Sequence, residues 1–283
     1  MSWRRKCPVV YFVYGLCEPH GPQNAIGLDA LKAHGIACKT AKRHGGIVAP
    51  LDFWHIHEVG GYALWGKQSV GEVERKWMTA IPPAVHFKHV CYHIRTADVT
   101  GFHAAIFLTG HYGPNWQDLK TLVEIVQPHV GTRLYALPDF EANTPGFDNN
   151  GKSGGDHAGK VETSLMMAID PSCSDMTRLP PKDEPGCHMA MGRNAYESDK
   201  RVGERMVEDE IKYLGQKAKE LLAEYDQVEP EHTLRTFVDV ERLWGENITP
   251  HLSDMLCIKD DFSGQGREVQ EDSVWYENRR NPD

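Results

Sequence analysis

Along the chain, short continuously apolar runs alternate with longer stretches of helical period, the pattern of an α/β layered domain. Residues 9–16 (VVYFVYGL) are apolar and β-branched without alternation, as a parallel strand covered on both faces should be. Residues 29–44 predict a helix with Leu28, Leu31, Ile36 and Ala37 on its apolar side, ended by Gly45-Gly46. A short strand is predicted at 47–49, stopped by Pro50, and a second buried strand at 104–109. A helix at 116–126 and a further strand at 133–137 follow. Residues 138–156, rich in Gly, Asn, Asp and Pro, predict a long loop, and residues 161–169 a short helix. Residues 176–195 carry prolines and glycines and read as an irregular connection. The clearest helix is 199–225, where Val202, Met206, Ile211, Leu214, Leu221 and Leu222 recur near helical spacing and the charges are expected outside.

The length of 283 residues suits one large domain, or a domain with an appendage. The predicted elements and the unusual residues fall within 1–228. Residues 229–283 are polar and acidic and read as a C-terminal extension that packs on the core or on a neighbouring subunit. With 31 Lys+Arg against 40 Asp+Glu the formal net charge is -9, which argues against nucleic-acid binding. No apolar run approaches the roughly 18–20 residues of a transmembrane helix, and the basic start has no small-residue cleavage site after it. Seven cysteines without a CxxC pair argue against both a disulfide framework and a zinc knuckle, and point to a reducing cytoplasm. Fifteen histidines are more than a soluble surface requires.

Those histidines and several acids gather at the ends of the expected strands, where open α/β sheets bind ligands. The first strand runs into Cys17-Glu18-Pro19-His20-Gly21-Pro22, with Asp29 at the start of the next helix. Glu18 and His20 are two apart and share a face in extended chain. The second runs into Gly110-His111-Tyr112-Gly113-Pro114-Asn115, whose glycines allow close backbone approach. The long loop ends in Asp156-His157-Ala158-Gly159-Lys160-Val161-Glu162-Thr163-Ser164. Each residue has a plain structural reading: Asp29 and Glu162 each complement a helix N-terminus, and a lone histidine at a strand end is more often a surface or core residue. Three His/acid clusters, each beside glycine, together favour a mixed His and carboxylate site. Such ligands suit Zn²⁺ or Mn²⁺, and a bridging carboxylate lets two ions sit about 3.5–4 Å apart.

In these three segments the sequence resembles the creatininase (creatinine amidohydrolase) family, over roughly residues 8–225. The resemblance implies an α/β fold, a three-layer sandwich with a central, mainly parallel sheet flanked by helices. It also implies two divalent ions per chain, Zn²⁺ and/or Mn²⁺ with Fe²⁺ possible, and a homo-oligomer, commonly a hexamer. Carried over, it implies that Glu18 and His111 bind one ion and His20 the other, that Asp29 bridges both, and that Glu162 is a ligand of the second ion. His157 matches the position that shuttles a proton to the leaving group. Gly113 stands where creatinine amidohydrolase itself has a glutamate ligand; this supports Glu162 as ligand and argues against creatinine as the substrate. The family places substrate contacts near residues 52–62, so Trp54, His57 and Tyr62 are candidates to line a pocket, with packing at a core or interface as the alternative. Tyr112, Asn115 and Asp156 are further candidates for substrate binding.

The function expected is a hydrolase that attacks a carbonyl of a small cyclic or compact amide with a metal-activated water. Two other readings stand beside it: the same centre opening a carbocyclic diketone from inositol breakdown by C–C cleavage, and an inactive scaffold that keeps the fold.

Overall fold

The computed structural model describes residues 2–57, 61–143, 156–225, 233–258 and 269–276. In chain order the regular elements are α1 (Ser2–Lys6), β1 (Val9–Tyr14), α2 (Leu28–His44), β2 (Ile47–Val48), α3 (Gly61–Trp65), α4 (Pro83–Val99), β3 (Ala104–Thr109), α5 (Asn115–Val126), β4 (Arg133–Pro138), α6 (Lys160–Ile169), α7 (Lys200–Tyr225) and α8 (Phe237–Leu243).

The apolar runs become strands because both their faces are covered. All six residues of β1 and all six of β3 are buried. The strands pair in parallel in the order β2-β1-β3-β4, with Val9 opposite Ala104 and Tyr14 opposite Thr109. Alternation then divides the core in two. Val10, Phe12, Tyr14, Ala105 and Phe107 face a layer containing Phe87, Val90 and Ile94 of α4 and Leu119 and Leu122 of α5. Val9, Tyr11, Val13, Ile106 and Leu108 face Ala33 and Ile36 of α2 and Leu214, Ala218 and Leu221 of α7. Helices on both faces of a parallel sheet make the three-layer α/β sandwich.

The C-terminal segment adds to the first of these layers. Val240, Leu243, Ile248, Met255 and Cys257 join its cluster, and Asp118 of α5 accepts the backbone N–H groups of Leu256 and Cys257 at 2.8 and 2.7 Å. The seven cysteines are free thiols. Among the described residues no helix is long and apolar enough to cross a membrane.

The structure departs from the sequence pattern in three places. Residues 83–99 form a 17-residue helix that the pattern did not mark. Three histidines and several β-branched residues blur its period, yet His86, Phe87, Val90, Ile94 and Ala97 line one buried face. On α7 the charges are not all outside, since Glu210 is 1% exposed. The expected loop after β4 begins with a 3₁₀ turn, Asp139–Ala142, and residues 144–155 of that loop lie outside the described ones.

Two strands on opposite sides of β1 are reached by successive connections, so the chain reverses its direction of travel across the sheet between β1 and β3. That switch point leaves a crevice at the carboxyl ends of the two central strands. Both ends are drawn close to α2. Gly110 donates its N–H to Tyr14 O at 2.9 Å, and a Cβ at Gly110 would lie 2.0 Å from the carbonyl oxygen of Asp29. No side chain fits there, and the approach that glycine allows places Asp29 beside the loop that carries His111.

Candidate metal centre

The chain leaving β1 delivers Glu18 and His20. The Glu18 N–H donates to Ile26 O at 2.9 Å and closes the loop back toward α2, whose first turn holds Asp29. Glu18, His20 and Asp29 are 0–1% exposed. His20 Nδ1 lies 2.9 Å from Glu18 O. A carbonyl oxygen can only accept, so Nδ1 carries the proton and Nε2 is left to face Asp29 Oδ1 at 3.1 Å.

The chain leaving β3 delivers His111. Its Nδ1 is 2.9 Å from Glu18 Oε1 and 3.3 Å from Asp29 Oδ2. Asp29 therefore turns one oxygen to His20 and the other to His111. His57 Nε2 approaches the second Glu18 oxygen at 3.2 Å. His55 lies behind, its Nε2 2.9 Å from Thr109 Oγ1.

The third segment arrives at the start of α6. Asp156 accepts the N–H groups of Val161 and Glu162 at 2.9 and 3.1 Å, satisfying two donors that a helix start leaves open. Glu162 points inward: Oε2 accepts the Ala158 N–H at 2.8 Å and lies 3.5 Å from His20 Nε2. His157 stacks on His20 with ring centroids 4.4 Å apart. Its Nε2 is 2.9 Å from Pro19 O, so that nitrogen donates, and Nδ1 lies 3.9 Å from Glu18 Oε1.

Three overlapping sets of donor atoms result, each gathered within 4.8 Å: Glu18–His57–His111, His20–Asp29–Glu162 and Glu18–His20–His157. Both Asp29 oxygens, Glu18 Oε2 and His20 Nε2 are buried without a hydrogen bond. Buried polar atoms left open in this way are costly unless something occupies the site between them. Burial alone would keep His20 neutral, but Asp29, Glu162 and Glu18 around it outweigh that and raise its pKa to about 9. Burial also opposes ionisation of Glu18 and Asp29. The imidazoles outweigh it, His111 and His157 for Glu18 and His20 for Asp29, and both carboxyls are held below their usual range. The pocket thus demands positive charge, and its mixed N/O donors suit divalent ions.

The other candidates are placed as follows. Tyr112 lays its ring under the Lys32 ammonium, 3.5 Å from the centroid, with Phe140 edge-on to it. Asn115 is fully buried, donates from Nδ2 to Gly113 O at 3.1 Å, and shapes the loop after His111. Trp54 is 56% exposed, so the core alternative does not hold for it. Tyr62 belongs to α3, but its side chain lies outside the described residues.

Several residues escaped the sequence reading. Trp65 stands 4.9 Å from the His57 ring and 5.1 Å, edge-on, from His157, and so forms a wall of the site. The residue after it, Gly66, backs onto the ring of Trp275, whose Nε1 donates to Gly71 O at 2.9 Å. Lys32, one turn after Asp29, is fully buried with Nζ 2.7 Å from Glu162 Oε1 and 3.4 Å from Asp139 Oδ2. Behind it lie Asp139, its pKa raised by burial to about 6 against the pull of Lys32, and Glu210, pushed well up by burial and by Asp139. Spacing from Asp29 was the one available signal for Lys32. Trp65 had none.

Fold and site together define a three-layer α/β protein with a candidate metal centre at the switch point of its sheet. The family model for creatininase, creatinine amidohydrolase, matches residues 2–214, and the chain belongs to that family. Solved structures agree on the fold. A crystal structure of creatinine amidohydrolase aligns at 17% identity with a TM-score of 0.61, over 77% of this chain and 92% of that one. A tryptophan-to-phenylalanine variant of creatininase aligns at 19% identity and a TM-score of 0.60, over 77% and 93%. A manganese form of creatininase gives 18% and 0.60, over 77% and 93%; others of these structures are a zinc–zinc form and a complex with creatine. No curated protein sequence matches significantly.

Proposed function

We propose that this chain is a two-ion hydrolase acting on the carbonyl of a small cyclic or compact amide. The observation that carries the proposal is the Asp29 carboxylate, buried, without hydrogen bonds, and aimed by one oxygen at His20 and by the other at His111. Membership of the creatinine amidohydrolase family supports the class of reaction, and the manganese and zinc forms of its solved members support the class of ion.

In this reading Glu18 and His111 hold one ion with His57 in reach, His20 and Glu162 hold the other, and Asp29 serves both. Divalent ions bound there acidify a water and polarise a substrate carbonyl. The protein's own part is orientation and proton transfer. Glu18 O fixes the His20 tautomer, and Pro19 O does the same for His157. His157 keeps its Nδ1 on the side of the cluster and a side chain 31% exposed, so it can take a proton from the attacking water and give it to the leaving nitrogen. Trp65 and His57 offer flat walls against which a compact ring can lie. A hexameric assembly is proposed from the family likeness, with light scattering as its check.

The test is elemental analysis of protein purified without chelator, beside Asp29→Asn. About two divalent ions per chain, falling sharply in the variant, support the reading and justify a screen of cyclic amides for amine release. Metal-free wild type, even after Zn²⁺ or Mn²⁺ is restored, overturns it.

A further inference from the structure

Behind Lys32, away from the metal centre, lies a second group of buried oxygens. Asp139, at the start of the 3₁₀ turn after β4, and Glu210, on α7, are each 1% exposed, and none of their four carboxyl oxygens has a hydrogen bond. The hydroxyl of Tyr112, set toward Asp139, is buried and equally open. Asn143 follows the turn, with Nδ2 on Met206 Sδ at 3.7 Å, one helical turn before Glu210, and with Oδ1 buried and open.

Among the described residues the ammonium that reaches this group is that of Lys32, 3.4 Å from Asp139 Oδ2 and 2.7 Å from Glu162 Oε1. Three carboxylates therefore share one positive charge. Open oxygens and unanswered charge at this depth are unfavourable, and protein interiors answer them with a proton, a water or an ion. The open atoms are all oxygens, two carboxylates among them, which is the donor set of a hard cation rather than of Zn²⁺. With Glu162 counted in the metal centre, Asp139, Glu210 and Lys32 leave one negative charge. One unit of positive charge cancels it, whereas a dication would place an excess beside the fixed ammonium.

We infer that Asp139, Glu210 and Tyr112 form a binding site for one monovalent cation, Na⁺ or K⁺, which ties α7 to the turn after β4. Its single charge rests on the reading of Glu162 as a ligand of the metal centre.

The experiment is urea unfolding of the full chain as purified, at pH 7.5 and constant ionic strength, in the chlorides of Na⁺, K⁺ and tetramethylammonium, a cation too bulky for a buried site. Na⁺ or K⁺ should shift the unfolding equilibrium toward the folded state, by about tenfold at about ten times its dissociation constant. Glu210→Gln, which keeps the shape and removes the charge, should be equally stable in all three salts. Asp139→Asn should behave alike, and serves where the first variant does not fold. Equal stability of the wild type in all three salts overturns the inference, and so does a preference for Na⁺ or K⁺ that survives these substitutions. Stabilisation by Mg²⁺ or Ca²⁺ instead, lost in Glu210→Gln, overturns the single charge. Failure of the two-ion reading is seen elsewhere, as fewer than two divalent ions per chain in elemental analysis.

Discussion

The wall behind the centre is built of neutral histidines, and its acid sensitivity can be worked out. His86 on α4 is fully buried, stacked on His55 at 4.3 Å and edge-on to Tyr14 at 5.1 Å, with neither ring nitrogen hydrogen-bonded. Burial, assisted by the charges that His89 and His93 carry when protonated, lowers its pKa from 6.5 to about 3. His93, which meets the Tyr14 hydroxyl at 2.7 Å, is lowered to about 4 by burial and by His89. Among the described residues the only carboxylate seen on this helix's histidines is Asp52, 3.7 Å from His89. Because the folded pKa lies below the unfolded one, the unfolded chain takes up the proton first, and stability falls as pH drops below 6.5. Each pH unit costs about 1.4 kcal/mol until the folded pKa is reached, so at pH 5 the neutral His86 costs about 2 kcal/mol, while at pH 7.5 it costs almost nothing. The perturbation is His86→Phe, which keeps a ring in the stack and removes the titration. Urea unfolding with chelator present, at pH 7.5 and pH 5, should show the variant losing about 2 kcal/mol less than wild type between the two conditions. Equal losses would refute the reasoning.

Three further outcomes are expected. His157→Ala should retain near-normal metal content while turnover falls roughly 10²–10⁴-fold; a variant that loses its metal instead would make His157 a ligand. Asp156→Ala removes the acceptor for the Val161 and Glu162 N–H groups and should cost about 1 kcal/mol of stability, measured by denaturant midpoint, with an unchanged midpoint counting against the capping role. Gly110→Ala must displace Asp29, whose carbonyl oxygen would lie 2.0 Å from the new Cβ; metal analysis should show the site emptied, and full occupancy would mean that the strand and helix separate without consequence.

What the sequence could and could not reveal follows from how far apart interacting residues lie along the chain. β1 and β3 were legible because a strand covered on both faces shows as an unbroken apolar run, and no tertiary knowledge is needed to see it. Glu18, His20, Asp29, His111, His157 and Glu162 were legible because each sits in a short segment at a strand or loop end, and concurrence of three such segments is rare by chance. α4 was not, because its buried face uses His86 among Phe87, Val90 and Ile94, and a histidine reads as polar in a periodic pattern. Lys32 and Glu210 were hidden for a deeper reason. Periodicity identifies apolar faces and assigns every charge to solvent by default, whereas the acid that answers Lys32 from behind, Asp139, is more than a hundred residues away. A buried charge on an amphipathic helix carries no local mark; only the fold brings its partner to it.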